Sequence, residues 1–359
     1  MNKVQLLCLA FIAILLFGCA PRPAVESLSI AEPNVSDGIQ WPTEGWKNSL
    51  PEEQGVDPTG LNDAVELGRE MDLHSFLVIR HGFIISETYF NGFDSEKLHD
   101  QYSVTKSFTA TLMGIAIDEK LIPSIDEPVT DALPQTDPLN KDANKAAMKL
   151  RDLLTMTSGL DWIEGDPTYR AMYFSPDWVH FVFDIAMRET PGEMFNYCSG
   201  CSHLLSAAVQ QALGKDALLF ADEHLFAPLG IKNYFWEKDA NGIPIGGWGL
   251  QITPRDMAKL GYLYLHKGMW DGRRVVSETW IDDAVKTHVP DTGSRWGYGY
   301  QWWTDDRYGG YAARGRYGQL IYVVPRLDLI VVSTAASETG DEGAVLLIQD
   351  KIIPSVAED

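Results

Sequence analysis

Apolar positions follow two rhythms along this chain: short β-rich runs lie near both ends, and helical spacing dominates between them. Leu61 to Met71 carries the i, i+3, i+4 spacing of an amphipathic helix. Ser75 to Phe90 then holds two β-branched and aromatic runs on either side of His81-Gly82, which predicts a hairpin. Ser107 to Asp118 is apolar enough for a buried helix. From Leu121 to about Leu250 the spacing predicts mainly helices and loops, with helices over Leu150–Thr157, Trp178–Arg188 and Ser202–Leu213, the last ended by Gly214. A further helix spans Asp256–His266 and ends near Gly268. Strands follow at Tyr298–Trp303, Gln319–Val324 and Leu329–Thr334, and a final helix covers about Asp341–Ile353. This order predicts an α+β fold in which one sheet is built from both ends of the chain. Its sheet region spans about 46–101 and 250–353, and the helical region about 102–249 is inserted between them. No internal repeat is visible.

The first residues belong to a different class. Lys3 supplies a short positive stretch, and Val4 to Phe17 is a run of mostly apolar residues, too short for a comfortable membrane span. Leu16-Phe17-Gly18-Cys19 resembles a bacterial lipobox, which makes residues 1–18 a signal peptide and Cys19 the lipidated residue. Ala20 resembles outer-membrane sorting. An ordinary secretory signal is the alternative. Residues 19–45, rich in Pro, Ser, Ala and acidic residues, read as a tether from the membrane to a domain spanning 46–353. The expected location is therefore outside the cytoplasm, on the periplasmic face of the outer membrane where the host has one.

Cysteine usage follows from export. Of four cysteines, Cys8 leaves with the signal and Cys19 carries the lipid, so Cys198 and Cys201 remain in C-x-x-C spacing. An oxidising setting allows a small structural disulfide between them, or two buried thiols. A redox role is a weaker alternative, since no small βαβ unit surrounds the motif. Zinc would need further ligands that the neighbouring sequence lacks. The formal charge of −21 argues against a nucleic-acid partner, because phosphate binding needs a basic face. The 8 histidines include no H-E-x-x-H or H-x-H pair, so neither a metal nor another cofactor is expected.

Chemistry enters at Ser103-Val104-Thr105-Lys106. Residues three apart share a helix face, so the Lys106 amine can reach the Ser103 hydroxyl. A serine attacks well only when a base takes its proton, and an amine serves only when neutral. Burial and the positive end of a helix dipole both favour the neutral amine. The same helix end favours an oxyanion. S-x-x-K is a short pattern that also arises by chance, so two further segments matter. Tyr197 sits on a loop ahead of a helix, where a phenol can move a proton. Ala313 to Tyr322 opens a strand with Gly315 and Gly318, which permits close backbone approach.

Taken together, Ser103–Lys106, Tyr197 and Gly315–Gly318 resemble the serine β-lactamase and penicillin-binding-protein superfamily, in its class C-like esterase and 6-aminohexanoate-dimer-hydrolase branch. Leu153–Leu160, Phe226–Ile231 and Gly247–Leu250 support the likeness in the same order. The resemblance implies an antiparallel sheet flanked by helices with an inserted all-helical region. It implies that Ser103 is the nucleophile, Lys106 its base partner and Tyr197 the general acid/base. The backbone N–H groups of Ser103 and Arg316 would form the oxyanion hole. Ser199 stands where the family often has Asn. The K-T-G of lactam-processing members is absent, with Gly315-Arg316-Tyr317-Gly318 in its place; Arg316 or Arg314 would have to supply the missing charge.

The implied activity is hydrolysis of small esters or amides through an acyl-serine. Ser199, Gly315, Tyr317, Trp162, Tyr169 and Trp248 are the expected substrate contacts. Most other aromatic residues are expected in the core. Asp161 and Glu164 beside Trp162 are expected on a solvated loop, with contact to a substrate cation as the alternative. Three rivals stand beside this reading. One is a D-aminopeptidase, D,D-carboxypeptidase or β-lactamase acting on cell-wall peptides or lactams. The others are a catalytically silent protein that binds peptidoglycan or a partner, and the redox protein.

Overall fold

A computed structural model describes residues 38–134, 142–338 and 340–357. The expected signal segment, Cys19 and the expected tether up to residue 37 lie outside the described residues. Among those described, eight strands form one sheet: β1 (Lys47–Asn48), β2 (Leu73–Arg80), β3 (Phe83–Tyr89), β4 (Gly297–Tyr298), β5 (Trp303–Asp305), β6 (Gly310–Gly315), β7 (Gln319–Val324) and β8 (Leu329–Ala335). Their spatial order is β1-β3-β2-β8-β7-β6-β5-β4, so the expected union of both ends occurs where β2 pairs with β8, Val78 opposite Val331. The pairs are antiparallel except at the edge, where β1 runs parallel to β3. That departs from the wholly antiparallel expectation, because the incoming chain is laid beside β3 without a hairpin to reverse it.

The central strands read as unbroken apolar runs because both faces of the sheet are covered. Side chains alternate across a strand, so Leu77, Ile79, Ile321, Val323, Ile330 and Val332 enter one core. Phe76, Val78, Leu320, Val324, Leu329 and Val331 enter the other. The second core is closed by helix α1 (Pro58–Arg69) and the C-terminal helices. The first is closed by α2 (Thr105–Asp118), α3 (Trp178–Asp184), α4 (Ser199–Leu213) and α5 (Pro254–Leu265). Every residue of α2 from Thr105 to Ala116 is buried, which explains its weakly amphipathic sequence.

Several boundaries differ from the sequence reading for local reasons. The expected strand Tyr298–Trp303 is two strands, β4 and β5, which pair with each other across a turn. At that turn Gln301 takes φ 59° and its side-chain amide donates to the Leu153 and Leu154 carbonyls, tying the sheet edge to the helical region. The helix expected to reach Arg188 stops at Asp184, where the buried Lys145 ammonium binds the Phe183 and Ile185 carbonyls. Helix α4 starts three residues early at Ser199. The inserted region is not wholly helical: its Phe235–Trp236 strand joins His99–Asp100 and Leu250–Ile252, at the region's two borders, in a small sheet. Residues 40 and 41, read from sequence as part of a tether, are packed: Trp41 lies against Tyr262, His266 and Trp270, and Tyr262 donates to the Gln40 carbonyl.

Candidate active site

The small sheet sets the entry to α2. Gln101 N–H donates to the Leu250 carbonyl at 2.8 Å, and Asp100 Oδ1 accepts from Tyr102 N–H at 2.9 Å. The chain then turns through Tyr102 at φ 43°, a left-handed conformation strained for a bulky side chain. Tyr102–Val104 forms one tight turn before α2, so Ser103 precedes the first α-helical residue rather than lying within it. Strand β6 ends beside this turn. A methyl carbon on Gly315 would stand 2.6 Å from the Gln101 carbonyl oxygen and 3.3 Å from Ser103 N, so only glycine lets these backbones meet. Beyond it Tyr317, at φ 68°, packs edge-to-face on Tyr102 with ring centroids 5.2 Å apart.

Lys106 is 1% exposed and reaches three oxygens: Ser103 Oγ at 2.9 Å, Ser199 Oγ at 2.9 Å and the Gly247 carbonyl at 2.8 Å. Gly247 can lie this close because it has no side chain; a methyl carbon there would stand 2.9 Å from the Ser199 carbonyl oxygen. Burial pulls the amine down to about 8, opposed by the nearby Glu164 carboxylate. At pH 7.5 this raises the neutral fraction from about 0.1% to about a quarter, enough for a working base. The Tyr197 ring lies 4.8 Å from Lys106 Nζ, and Trp303 stacks behind it at 5.8 Å. Burial pushes this phenol well above its ordinary range, so it stays protonated.

The expected contacts divide. Ser103, Ser199, Tyr169, Trp248 and Arg316 line one cleft of ≈ 750 Å³, with Tyr102, Glu164, Gly165, Arg170, Tyr173, Phe174 and Gly247. Trp162 does not line it: the ring is buried and its Nε1–H supports Glu164 at 2.6 Å. Gly315 packs beneath Ser103, and Tyr317 lines a neighbouring depression with His74 and Phe93. Arg314 cannot supply a free charge, because it is paired with Asp341 and sits over Trp296 and Trp303. Arg316 is exposed at the cleft and is in no ion pair among the described residues.

Two features were not legible in sequence. Tyr173 and Phe174, 61% and 78% exposed, are rim residues rather than core. Glu164, expected on a solvated loop, turns into the cleft. Its carboxylate accepts from Trp162 Nε1–H, Ser199 N–H at 3.0 Å, Ser199 Oγ–H at 2.6 Å and the Tyr169 hydroxyl. The Ser199 contact joins residues 35 apart in sequence, and no spacing pattern announces it. Asp161, by contrast, stays outside and pairs with Arg188.

Cys198 and Cys201 are joined by a disulfide, both fully buried, with Cys198 Sγ accepting from Cys201 N–H at the start of α4. Burial leaves no sulfur for a redox partner to reach. Among the described residues no group of three or more His, Cys, Asp or Glu is placed to hold a metal ion.

The beta-lactamase family model matches residues 71–350. A 6-aminohexanoate-dimer hydrolase of Paenarthrobacter ureafaciens is 25% identical over 300 residues, covering 77% of this chain and 76% of that protein. Among solved structures, a provisionally assigned 6-aminohexanoate-dimer hydrolase from Bacillus anthracis superposes with a TM-score of 0.73 at 20% identity, over 88% of each chain. EstCE1, a hydrolase with promiscuous acyltransferase activity, gives a TM-score of 0.71 at 17% identity, over 84% of this chain and 99% of its own.

Proposed function

The chain belongs to the beta-lactamase family, with the β-lactamase/transpeptidase-like fold, and we propose that it is a serine hydrolase cleaving small esters or amides through an acyl-serine. The observation that carries this reading is the buried Lys106 amine, 2.9 Å from Ser103 Oγ and drawn down to about 8. Neutral Lys106 takes the Ser103 proton as Oγ bonds to the carbonyl carbon. The resulting oxyanion is met by the N–H groups of Ser103 and Arg316, each such donor contributing about 3 kcal/mol in enzymes of this kind. Tyr197 donates its proton to the leaving alcohol or amine and regains one from the Lys106 ammonium. A water then attacks the ester, giving its proton to the same pair, and the acid departs with Ser103 restored.

The cleft is walled by Tyr169, Tyr173, Phe174 and Trp248, which suits an apolar or aromatic acyl group. The hydrolytic relatives support ester and amide substrates alike. A carboxylate-bearing substrate, such as a peptide terminus or a lactam, is favoured by one observation, the exposed Arg316 guanidinium at the cleft, over the Tyr317 ring and in no ion pair among the described residues. The test is turnover of p-nitrophenyl acetate by the wild type and by Ser103→Ala. Loss of turnover in the variant supports the reading, and equal turnover defeats it. Nitrocefin opening would favour the lactamase, and D-alanine release the peptidase. Export as a lipoprotein anchored at Cys19 is part of the proposal. Metabolic palmitate labelling that survives Cys19→Ala would refute it.

A further inference from the structure

We propose that Ser199 and Glu164 are positioning residues that hold Lys106 and stabilise the ammonium it becomes during acyl transfer. This rests on the reading of Ser103 as nucleophile and Lys106 as base. The geometry is a chain of donors. Lys106 Nζ donates to Ser199 Oγ at 2.9 Å, and Ser199 Oγ–H in turn donates to Glu164 Oε1 at 2.6 Å. A hydroxyl can accept one bond and donate another, so Ser199 connects a cation to an anion without breaking either contact. Glu164 is itself fixed, with Trp162 Nε1–H and Ser199 N–H on one oxygen and Tyr169 on the other.

The consequence appears when the proton moves. Once Lys106 takes the Ser103 proton it carries three N–H bonds, and three acceptors already surround it: Ser103 Oγ, Ser199 Oγ and the Gly247 carbonyl. No proton travels to Glu164. Its charge, relayed by the Ser199 dipole, favours the ammonium at this buried position. Burial alone would leave Lys106 a weaker base. The carboxylate restores basicity, at the expense of protonating the amine at lower pH.

The groups around Lys106 are few. Ser103 comes from its own segment, Tyr197 from the loop before α4, Ser199 from the start of α4, the Gly247 carbonyl from the loop before Leu250, and Glu164 from the loop after Leu160. Glu164 and the Arg314–Asp341 pair bear on Tyr197, and among the described residues Glu164 is the charge that bears on Lys106. Arg316 and Arg170 line the cleft without entering this set.

The test compares the full-length wild type, Glu164→Gln and Ser199→Ala. The pH profile of kcat/KM on p-nitrophenyl acetate is read beside the Lys106 midpoint from NMR of protein labelled with nitrogen-15 at lysine Nζ. In Glu164→Gln the ammonium loses its counter-charge. The acid limb and the NMR midpoint should both move down by about one pH unit, while the high-pH plateau falls about tenfold. A merely structural role would lower the plateau and leave the limb in place. Ser199→Ala keeps the carboxylate but removes an acceptor of the ammonium, so its midpoint should also fall; it carries the test if Glu164→Gln does not fold. Midpoints coincident with the wild type overturn the proposal. If the wild type hydrolyses nothing, the serine-hydrolase reading fails instead, while the NMR midpoints still decide whether these residues govern Lys106.

Discussion

Gly315→Ala is the sharpest probe of how the strand edge serves the serine. The added carbon would lie 2.6 Å from the Gln101 carbonyl oxygen, 3.0 Å from Gln319 Cβ and 3.3 Å from Ser103 N. A carbon–oxygen contact is comfortable at about 3.3 Å, so β6 and the turn before α2 must part by roughly 0.7 Å. Both sides are backbone, so no rotamer change relieves the clash. The groups that separate are the Ser103 and Arg316 N–H donors proposed for the oxyanion. A misplacement near 1 Å costs about 10²-fold, and loss of one donor about 10²- to 10³-fold. The variant should lose about 10²-fold in kcat on p-nitrophenyl acetate with KM nearly unchanged. Overpacking should lower stability by about 1–3 kcal/mol, read by thermal circular dichroism on the same sample. A folded variant with kcat within about threefold of wild type would refute the proposed role of this edge.

Other substitutions and conditions separate neighbouring ideas. Arg316→Ala keeps the backbone N–H, so kcat on p-nitrophenyl acetate should hold, while KM for a carboxylate-bearing ester rises up to about fivefold. Lys106 must be neutral to act and its pKa lies at about 8, so kcat/KM should rise with pH through that value. At pH 6 it should be about 1% of the plateau; a flat profile from pH 6 to 9 would exclude Lys106 as the base. The Cys198–Cys201 disulfide closes a loop of sequence separation 3, so its chain-entropy contribution is small. Reduction should cost about 2 kcal/mol and lower Tm by about 2–4 °C, with activity retained on recooling.

Much of the architecture was legible because it depends on short-range patterns. The hairpin around His81-Gly82 and the runs Gln319–Val324 and Leu329–Thr334 are β-branched, apolar-rich stretches, and the last two are buried along their whole length as only a doubly covered sheet allows. Helix α2 was legible for a similar reason. Boundaries failed where a distant group decides them. The Trp178 helix ends because Lys145 caps it, and β4 and β5 separate because Gln301 turns away to bond the Leu153 and Leu154 carbonyls.

The same division runs through the site. Ser103 and Lys106 announce themselves because three residues on a helix bring them together. Tyr197 and Gly315 could be placed only by analogy of order along the chain. Glu164 could be named only as a loop residue or a contact for a substrate cation, since its meeting with Ser199 depends on how the loop after Leu160 folds over α4. Trp162 misled for the opposite reason: an aromatic beside a motif looks like a substrate wall, yet its indole N–H is committed to Glu164 and its ring to the core.

The most direct test of the central claim is the site of covalent capture. Full-length protein is incubated with a fluorophosphonate at pH 8.5, digested, and its peptides are weighed. One adduct is expected, on the peptide carrying Ser103, absent from Ser103→Ala and slowed at least about 10²-fold in Lys106→Met. An unmodified protein, or an adduct on any other residue, would contradict an acyl-serine mechanism at Ser103.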